Sequence, residues 1–428
     1  MNQIFQSIRG MNDILPKDLT ILNYIKNVLK KTLDSYYYSE ISMPILEKTT
    51  LFHRTIGSIT DIVDKEMYSF IDQSGNSLTL RPEGTVGCVR ACIEHGLIYN
   101  QCQRLWYIGP MFRHERPQLG RYRQFTQLGV ETFGFHGPYI DLELIMITVK
   151  WWKNLNLLPY LFLEINTIGS IQSRELYKID LIKFLNKNIL HLDLDSKNKI
   201  FSNPLRIFDS KNLNTQHLLQ NAPKLFDYLD TTSHVYFKTL CKLLDQMSIK
   251  YHINKALVRG LDYYNDTVFE WKTNVLGTQN TICAGGRYDS LVKDIVGHGV
   301  SIPAIGLAVG MERLFLLFNS IEHKKKFNHV IDINIFFSNC MMESIKLSED
   351  IRNVFSSLKI VINYLNHSNK KQLRKAYKLC TICTLYMFNN EQQECIVTIT
   401  NLKNNTEISV SVNEVIPQLK KIFQDKRN

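Results

Sequence analysis

The chain has 428 residues, 44% of them hydrophobic and 21% charged, enough for two or three packed cores and unlike a wholly disordered polymer. Its formal net charge is +11 and its pI about 9.0, which favours an anionic partner, nucleic acid or phosphate, without establishing one. Nine scattered cysteines suit a reducing compartment. With no apolar signal core near the N-terminus and no long uncharged apolar run, the reading is a soluble, cytoplasmic chain that does not enter a membrane.

In chain order, residues Lys17–Asp34 carry Leu22, Ile25, Leu29 and Leu33 at three- and four-residue steps, the pattern of a helix with one apolar face. Ile41–Leu46 reads as a short strand, and Pro44 inside it suits an edge or an interface. Leu78–Thr85 reads as a strand ending in a turn, with a helix beginning near Thr85. Arg104–Glu115 and Gln124–Phe133 are strand-like, and the loop Arg116–Arg123 makes them a long hairpin with a basic tip. Ser170–Ser248 is rich in Lys, Asn, Asp and Leu at helical spacing, and reads as a helical insertion. Leu257–Thr273 returns to strand, Ala284–Asp289 reads as a turn leading into a helix, and Ile305–Phe318 as a strand of small residues entering an apolar helix.

Lys324-Lys325-Lys326 then reads as a linker, followed by alternating strands and helices, including a helix at Asn369–Leu379 and a strand at Thr381–Met387. That alternation implies a small α/β domain with a largely parallel core. Residues 324–428 hold 16 Lys+Arg against 9 Asp+Glu, a net +7, so this quarter of the chain carries most of the excess charge. Cys380 and Cys383 have CxxC spacing, but zinc needs about four ligands and no second pair stands near, so both read as core residues and no metal site is expected.

Several residue groups could do chemistry. On Gln124–Phe133 side chains alternate, so Gln127, Gly129 and Glu131 share a face, and Gly129 leaves room between an amide and a carboxylate. A half-exposed polar strand is the plain alternative. Arg113, Arg116, Arg121 and Arg123 fall within eleven residues, and guanidinium forks match phosphate oxygens, although a solvated loop would look the same. Arg259-Gly260 followed by Tyr263-Tyr264 lets a cation and backbone approach a ligand, while paired tyrosines are more often packing. Gly306, Ala308 and Gly310 make a flat strand face on which a planar group could lie, with Arg313 just beyond.

Taken together these segments resemble the class II aminoacyl-tRNA synthetases. Pro44 with its preceding helix resembles motif 1; Phe112-Arg113-His114-Glu115, the basic loop and Arg123-Gln124-Phe125 resemble motif 2; Gly306 through Arg313 resembles motif 3. Leu257–Tyr264 and Ala284–Asp289 look like the two signature segments of the histidyl-tRNA synthetase family, bacterial type. One departure is Ala308, where the class pattern often has glycine. The resemblance implies an α+β catalytic domain at 1–323, a six-stranded antiparallel sheet surrounded by helices, interrupted by the helical insertion at about 170–248. A linker at 324–330 and a C-terminal α/β anticodon-binding domain at 331–428 would follow, in a homodimer.

The resemblance also implies roles. Arg259 and Arg113 would be catalytic, flanking the α-phosphate of ATP, while Glu115, Arg121 and Arg313 would complete the ATP site. Glu83, Thr85 and Gln127 would hold the α-amino group of histidine, and Glu131, Tyr263, Tyr264 and Tyr288 its side-chain pocket. ATP would enter with Mg²⁺ and no protein metal cage. Arg116, Gln118 and Arg123 would meet the tRNA(His) acceptor stem, and Lys370, Lys371, Arg374, Lys375 and Lys378 form a basic stripe that could track RNA phosphates or simply face water. The rival reading is a histidine-binding regulatory relative that serves ATP phosphoribosyltransferase. Such relatives usually lack the C-terminal domain and the motif arginines, which are present here.

Overall fold

The computed structural model describes residues 5–56, 60, 62–201, 204–210, 212–277, 280–299, 301–321, 331–364, 374 and 381–423. The chain divides into two compact units, Met1–Lys324 and Lys325–Asn428. The expected linker at 324–330 and the expected helix at Asn369–Leu379, Arg374 excepted, lie outside the described residues.

The first unit opens with the helix Pro16–Ser35, whose buried face is Ile21, Ile25, Leu29 and Leu33. It packs on the helix Tyr139–Asn154, where the Trp151 Nε1 donates to the Leu29 carbonyl at 3.1 Å. The strands are β1 (Ser39–Glu40), β2 (Leu46–Lys48), β3 (Tyr68–Ile71), β4 (Ser77–Leu80), β5 (Gln103–Phe112), β6 (Gln124–Phe133), β7 (Phe162–Thr167), β8 (His252–Ile253), β9 (Asn265–Lys272), β10 (Thr281–Arg287) and β11 (Ala304–Gly310). An eight-stranded sheet runs β1-β5-β6-β11-β10-β9-β7-β8, and β2-β4-β3 form a small separate sheet. The six central strands pair antiparallel, as the resemblance implies, and the two-residue strands β1 and β8 add short parallel edges.

Three local expectations are corrected. Residues 41–45 are not strand. Pro44 has no N–H to give a ladder, and Ile41 instead makes one last bond, donating to the Trp106 carbonyl at 2.8 Å. In Leu257–Thr273 only Asn265–Lys272 is strand; the Arg259 segment before it is irregular. Gly285-Gly286 are not a turn but the middle of β10. Added side chains would strike the Gly306 carbonyl and the Phe269 ring at Gly285, and the Thr267 carbonyl and the Tyr264 ring at Gly286. These glycines answer crowding above and below a buried strand, which sequence cannot distinguish from a turn.

The segment expected to be helical contains the helices Ile171–Lys187, Leu194–Lys199, Leu213–Leu219 and Thr231–Gln246. Each begins on a polar side chain that accepts the N–H three residues on: Ser170 from Ser173, Asp193 from Ser196, Asn212 from Thr215 and Asp230 from Ser233. Caps of this kind stabilise a helix by about 1 kcal/mol each, which matters most for the two short helices.

The second unit contains β12 (Ile333–Ser338), β13 (Ile360–Ile362), β14 (Cys383–Asn389), β15 (Cys395–Asn401) and β16 (Thr406–Ser411) in the order β13-β12-β14-β15-β16. β13, β12 and β14 are parallel; β15 and β16 return antiparallel. Ile333, Ile335, Leu385, Met387, Leu347 and Leu419 share its core. Cys383 is buried there, and Cys380 lies outside the described residues. Among the described residues no helix is long and apolar enough to cross a membrane, and no group of three or more His, Cys, Asp or Glu could hold a metal.

Candidate active site

The long hairpin β5–β6 and its neighbour β11 place the basic loop over one face of the large sheet, where a cavity of about 300 Å³ opens. Arg113, Arg121, Arg259 and Arg313 all line it, although they come from three separate segments, the β5–β6 hairpin supplying the first two. Each is fixed differently. The Arg113 Nε donates to the Pro82 carbonyl at 2.8 Å, with its guanidinium 5.3 Å from the Phe125 ring. Arg313 donates to the carbonyls of Gly120 at 2.8 Å and Thr281 at 3.0 Å. Arg121 pairs with Glu115, and Arg259 pairs with Glu270 while lying 5.6 Å from the Tyr264 ring. The Arg259 Nε is buried and has no protein acceptor.

Burial pushes the Arg313 pKa down, and the positive charges of Arg113 and Arg121 push it further. Mutual repulsion of this kind is relieved by an anion placed between the guanidinium groups. Four carboxylates also reach the cavity, but two are engaged by backbone. Glu312 accepts the Thr126 N–H at 2.8 Å. Glu83 accepts the N–H groups of Thr85 at 2.8 Å and Val86 at 2.7 Å, capping the helix Thr85–Glu94. The cavity thus brings four guanidinium groups together with the buried Glu83 carboxylate, whose neighbours include Arg113 and the hydroxyls of Thr85 and Tyr263.

Behind Glu83 lies a network centred on Glu131. Its carboxylate accepts from the Thr85 hydroxyl at 2.8 Å, the Tyr107 hydroxyl at 2.9 Å and the Tyr288 hydroxyl. Burial pushes the Glu131 pKa up to about 8, outweighing the three hydroxyl donors that pull it down. The Tyr263, Tyr264 and Tyr288 rings pack together beside it, with centroids 4.7 to 6.4 Å apart. The space expected beside Gly129 is filled by the Tyr107 ring, which also lies against Gly84. Gly129→Ala is expected to destabilise the fold by about 1–3 kcal/mol through this collision. A lowered urea midpoint with unchanged slope is the measurement.

Of the residues expected to hold histidine, Glu83, Thr85, Gln127, Tyr263 and Tyr264 line the cavity, whereas Glu131 and Tyr288 stand behind it, joined through Thr85. Those expected to hold ATP, namely Arg113, Glu115, Arg121, Arg259 and Arg313, line it without exception. Arg116 and Gln118 are exposed at the hairpin tip. Arg123 is half-buried and structurally engaged: its Nε donates to the Glu115 carbonyl at 3.2 Å, and its backbone N–H to the Gly10 carbonyl at 2.7 Å. Arg374 is exposed, and Lys370, Lys371, Lys375 and Lys378 lie outside the described residues.

Two participants escaped the sequence reading. Glu270 stands in β9 between the buried Phe269 and Trp271, and a carboxylate in such a strand needs a partner, which is a usable signal. Tyr107 gave none, because its role depends on glycines distant in the chain.

The site can be set beside known proteins. Residues 10–314 match the family model described as histidyl-tRNA synthetase. The solved structure of apo S. aureus histidyl-tRNA synthetase is 30% identical, covers 97% of this chain and all of its own, and superposes with a TM-score of 0.80. A Bacillus halodurans ATP phosphoribosyltransferase regulatory subunit/histidyl-tRNA synthetase is 21% identical, covers 91% of this chain and all of its own, and has a TM-score of 0.65. A histidyl-tRNA synthetase from Nostoc sp., 18% identical over 98% of this chain and 99% of its own, has a TM-score of 0.66; these two share the fold alone. With its arginine-lined cavity, its antiparallel sheet and a family match over most of its length, this chain belongs to the histidyl-tRNA synthetase family.

Proposed function

We propose that the chain is an active histidine–tRNA ligase, and that the cavity forms histidyl-adenylate from histidine and ATP. One observation carries the reading: Arg113 and Arg259 line the same cavity, and the Arg259 Nε is a buried donor awaiting an acceptor. An orphaned buried donor costs about 1–3 kcal/mol, which a phosphate oxygen would recover. A histidine carboxylate oxygen attacks the α-phosphorus as the bond to pyrophosphate breaks. The negative charge that grows on the α-phosphate oxygens meets donors already in place. In the second step a terminal ribose hydroxyl of tRNA(His) attacks the activated carbonyl and AMP leaves. ATP enters as its Mg²⁺ complex, a substrate, with the metal on its phosphates.

The carboxylates and hydroxyls of the site suit the rest of histidine. Glu83 sits where an ammonium group would be matched, and Glu131 with the tyrosine hydroxyls supplies hydrogen-bonding groups for an imidazole. A site built on such groups leaves them unpaired when an apolar side chain enters, a penalty that can reach about 10⁴–10⁵-fold. In this reading 1–323 is the catalytic domain with its insertion at about 170–248, 324–330 is a linker, and 331–428 binds the anticodon. The protein acts as a cytoplasmic homodimer. The rival is an inactive regulatory relative; the words ATP phosphoribosyltransferase regulatory subunit appear in the name of the B. halodurans neighbour.

The deciding assay is ATP–pyrophosphate exchange by purified protein with each of the twenty amino acids in turn. Exchange with histidine alone supports the proposal; histidine binding without exchange moves the chain to the regulatory reading. A separate expectation concerns the basic stripe. Changing Lys370, Lys371, Arg374, Lys375 and Lys378 together to alanine should weaken tRNA binding and flatten its salt dependence by about 0.7–0.9 in slope per lost phosphate contact. An unchanged slope would return that stripe to an ordinary solvated surface.

A further inference from the structure

Side chains alternate along a strand, so Glu270 faces the arginine cavity and its neighbour Trp271 faces the opposite side of the sheet. A second cavity, of about 720 Å³, lies there. Its floor is Leu161, Leu163 and Trp271, all buried. Val149, Met146 and Ile249 continue the apolar surface. Its volume falls within the usual range for small-molecule sites. The catalytic reading makes no use of it.

Charge identifies what would fit. Lys150, Lys153 and Lys250 stand at its rim, and none of the described residues that line it is acidic. The Lys150 ammonium is positioned 5.2 Å from the centre of the Tyr36 ring. Two helices, Tyr139–Asn154 and Thr231–Gln246, end at this rim, and each C-terminus contributes roughly half a negative charge. Three ammonium groups exceed that, leaving roughly two positive charges beside an apolar hollow. A neutral apolar ligand would make no use of those charges, and a free phosphate would make no use of the floor.

We propose that this cavity binds a single-chain anionic amphiphile, an acyl carboxylate, with its tail on Trp271 and its head group among the three lysines. Isothermal titration calorimetry of the full chain with octanoate, decanoate and dodecanoate, below their micelle concentrations, should give one saturable site. Affinity should rise about fourfold per added methylene until the cavity is filled. Dodecyltrimethylammonium, with the same tail and the opposite charge, should bind at least tenfold more weakly. The variant K150E/K153E/K250E changes only exposed side chains and should lose at least tenfold in dodecanoate affinity. No saturable site, equal binding of the two head groups, or unchanged affinity in the variant would overturn the proposal. So would a self-association of the chain that the variant abolishes and dodecanoate leaves untouched, which would assign the groove to a second copy.

Discussion

Arg259→His is expected to lower ATP–pyrophosphate exchange by about 10²–10³-fold while the protein remains folded. Histidine is shorter than arginine and cannot present the same fork, so a guanidinium that lines the cavity is lost. The fold should survive because the partner left behind is not orphaned. Glu270 still accepts from Lys272 at 3.2 Å and from the Thr281 hydroxyl at 3.1 Å. Pyrophosphate exchange measures the loss, and circular dichroism with thermal melting checks the fold. Near-normal exchange in a well-folded variant would remove Arg259 from the chemistry.

Glu131→Gln should separate stability from function. The side chain is 1% exposed, and burial holds its pKa near 8 against an ordinary value near 4.5. Between those values an unfolded chain releases the proton that the folded chain keeps, so folding is progressively disfavoured as pH rises from about 4.5 to about 8. Below that window the group costs nothing by this route, and above it the full penalty applies. Glutamine removes the penalty, and the hydroxyls of Thr85, Tyr107 and Tyr288 can turn to accept from its amide. The variant is therefore expected to melt higher than the parent at pH 8, with the difference shrinking toward pH 4.5. Histidine should suffer all the same: KM for histidine rises, or turnover falls, far more than KM for ATP. Equal losses for both substrates would count against a side-chain contact to histidine, and a melting difference independent of pH would count against the buried carboxyl as its source.

Much of the architecture was legible because its signals are local. Hairpin strand Gln124–Phe133 is read to the residue from alternation, and the helical character of 170–248 from composition and helical spacing. Errors fell where distant residues decide. Gly285-Gly286 look like a turn until Gly306 and Phe269 crowd them from both sides, and Pro44 interrupts a strand whose length depends on its neighbour β5. At the site, the arginines were readable one by one, since guanidinium clusters beside glycines are unusual. Their gathering around one hollow was expected from the resemblance alone and not from the residues themselves, because Arg113, Arg259 and Arg313 are brought there by three different strands' connections. Tyr107, the ring that occupies the gap beside Gly129, illustrates the limit: a glycine announces vacant space, and the chain does not say what fills it.

The Gly10 carbonyl accepts N–H bonds from both Arg123 and Gln124, at 2.7 and 3.3 Å; Gly10 itself has a φ of +88°, and an added side chain there would strike Pro117. The opening residues thus act as a clasp on the base of the basic hairpin. A substitution at Gly10 would therefore reach the arginine loop without altering any residue that lines the cavity.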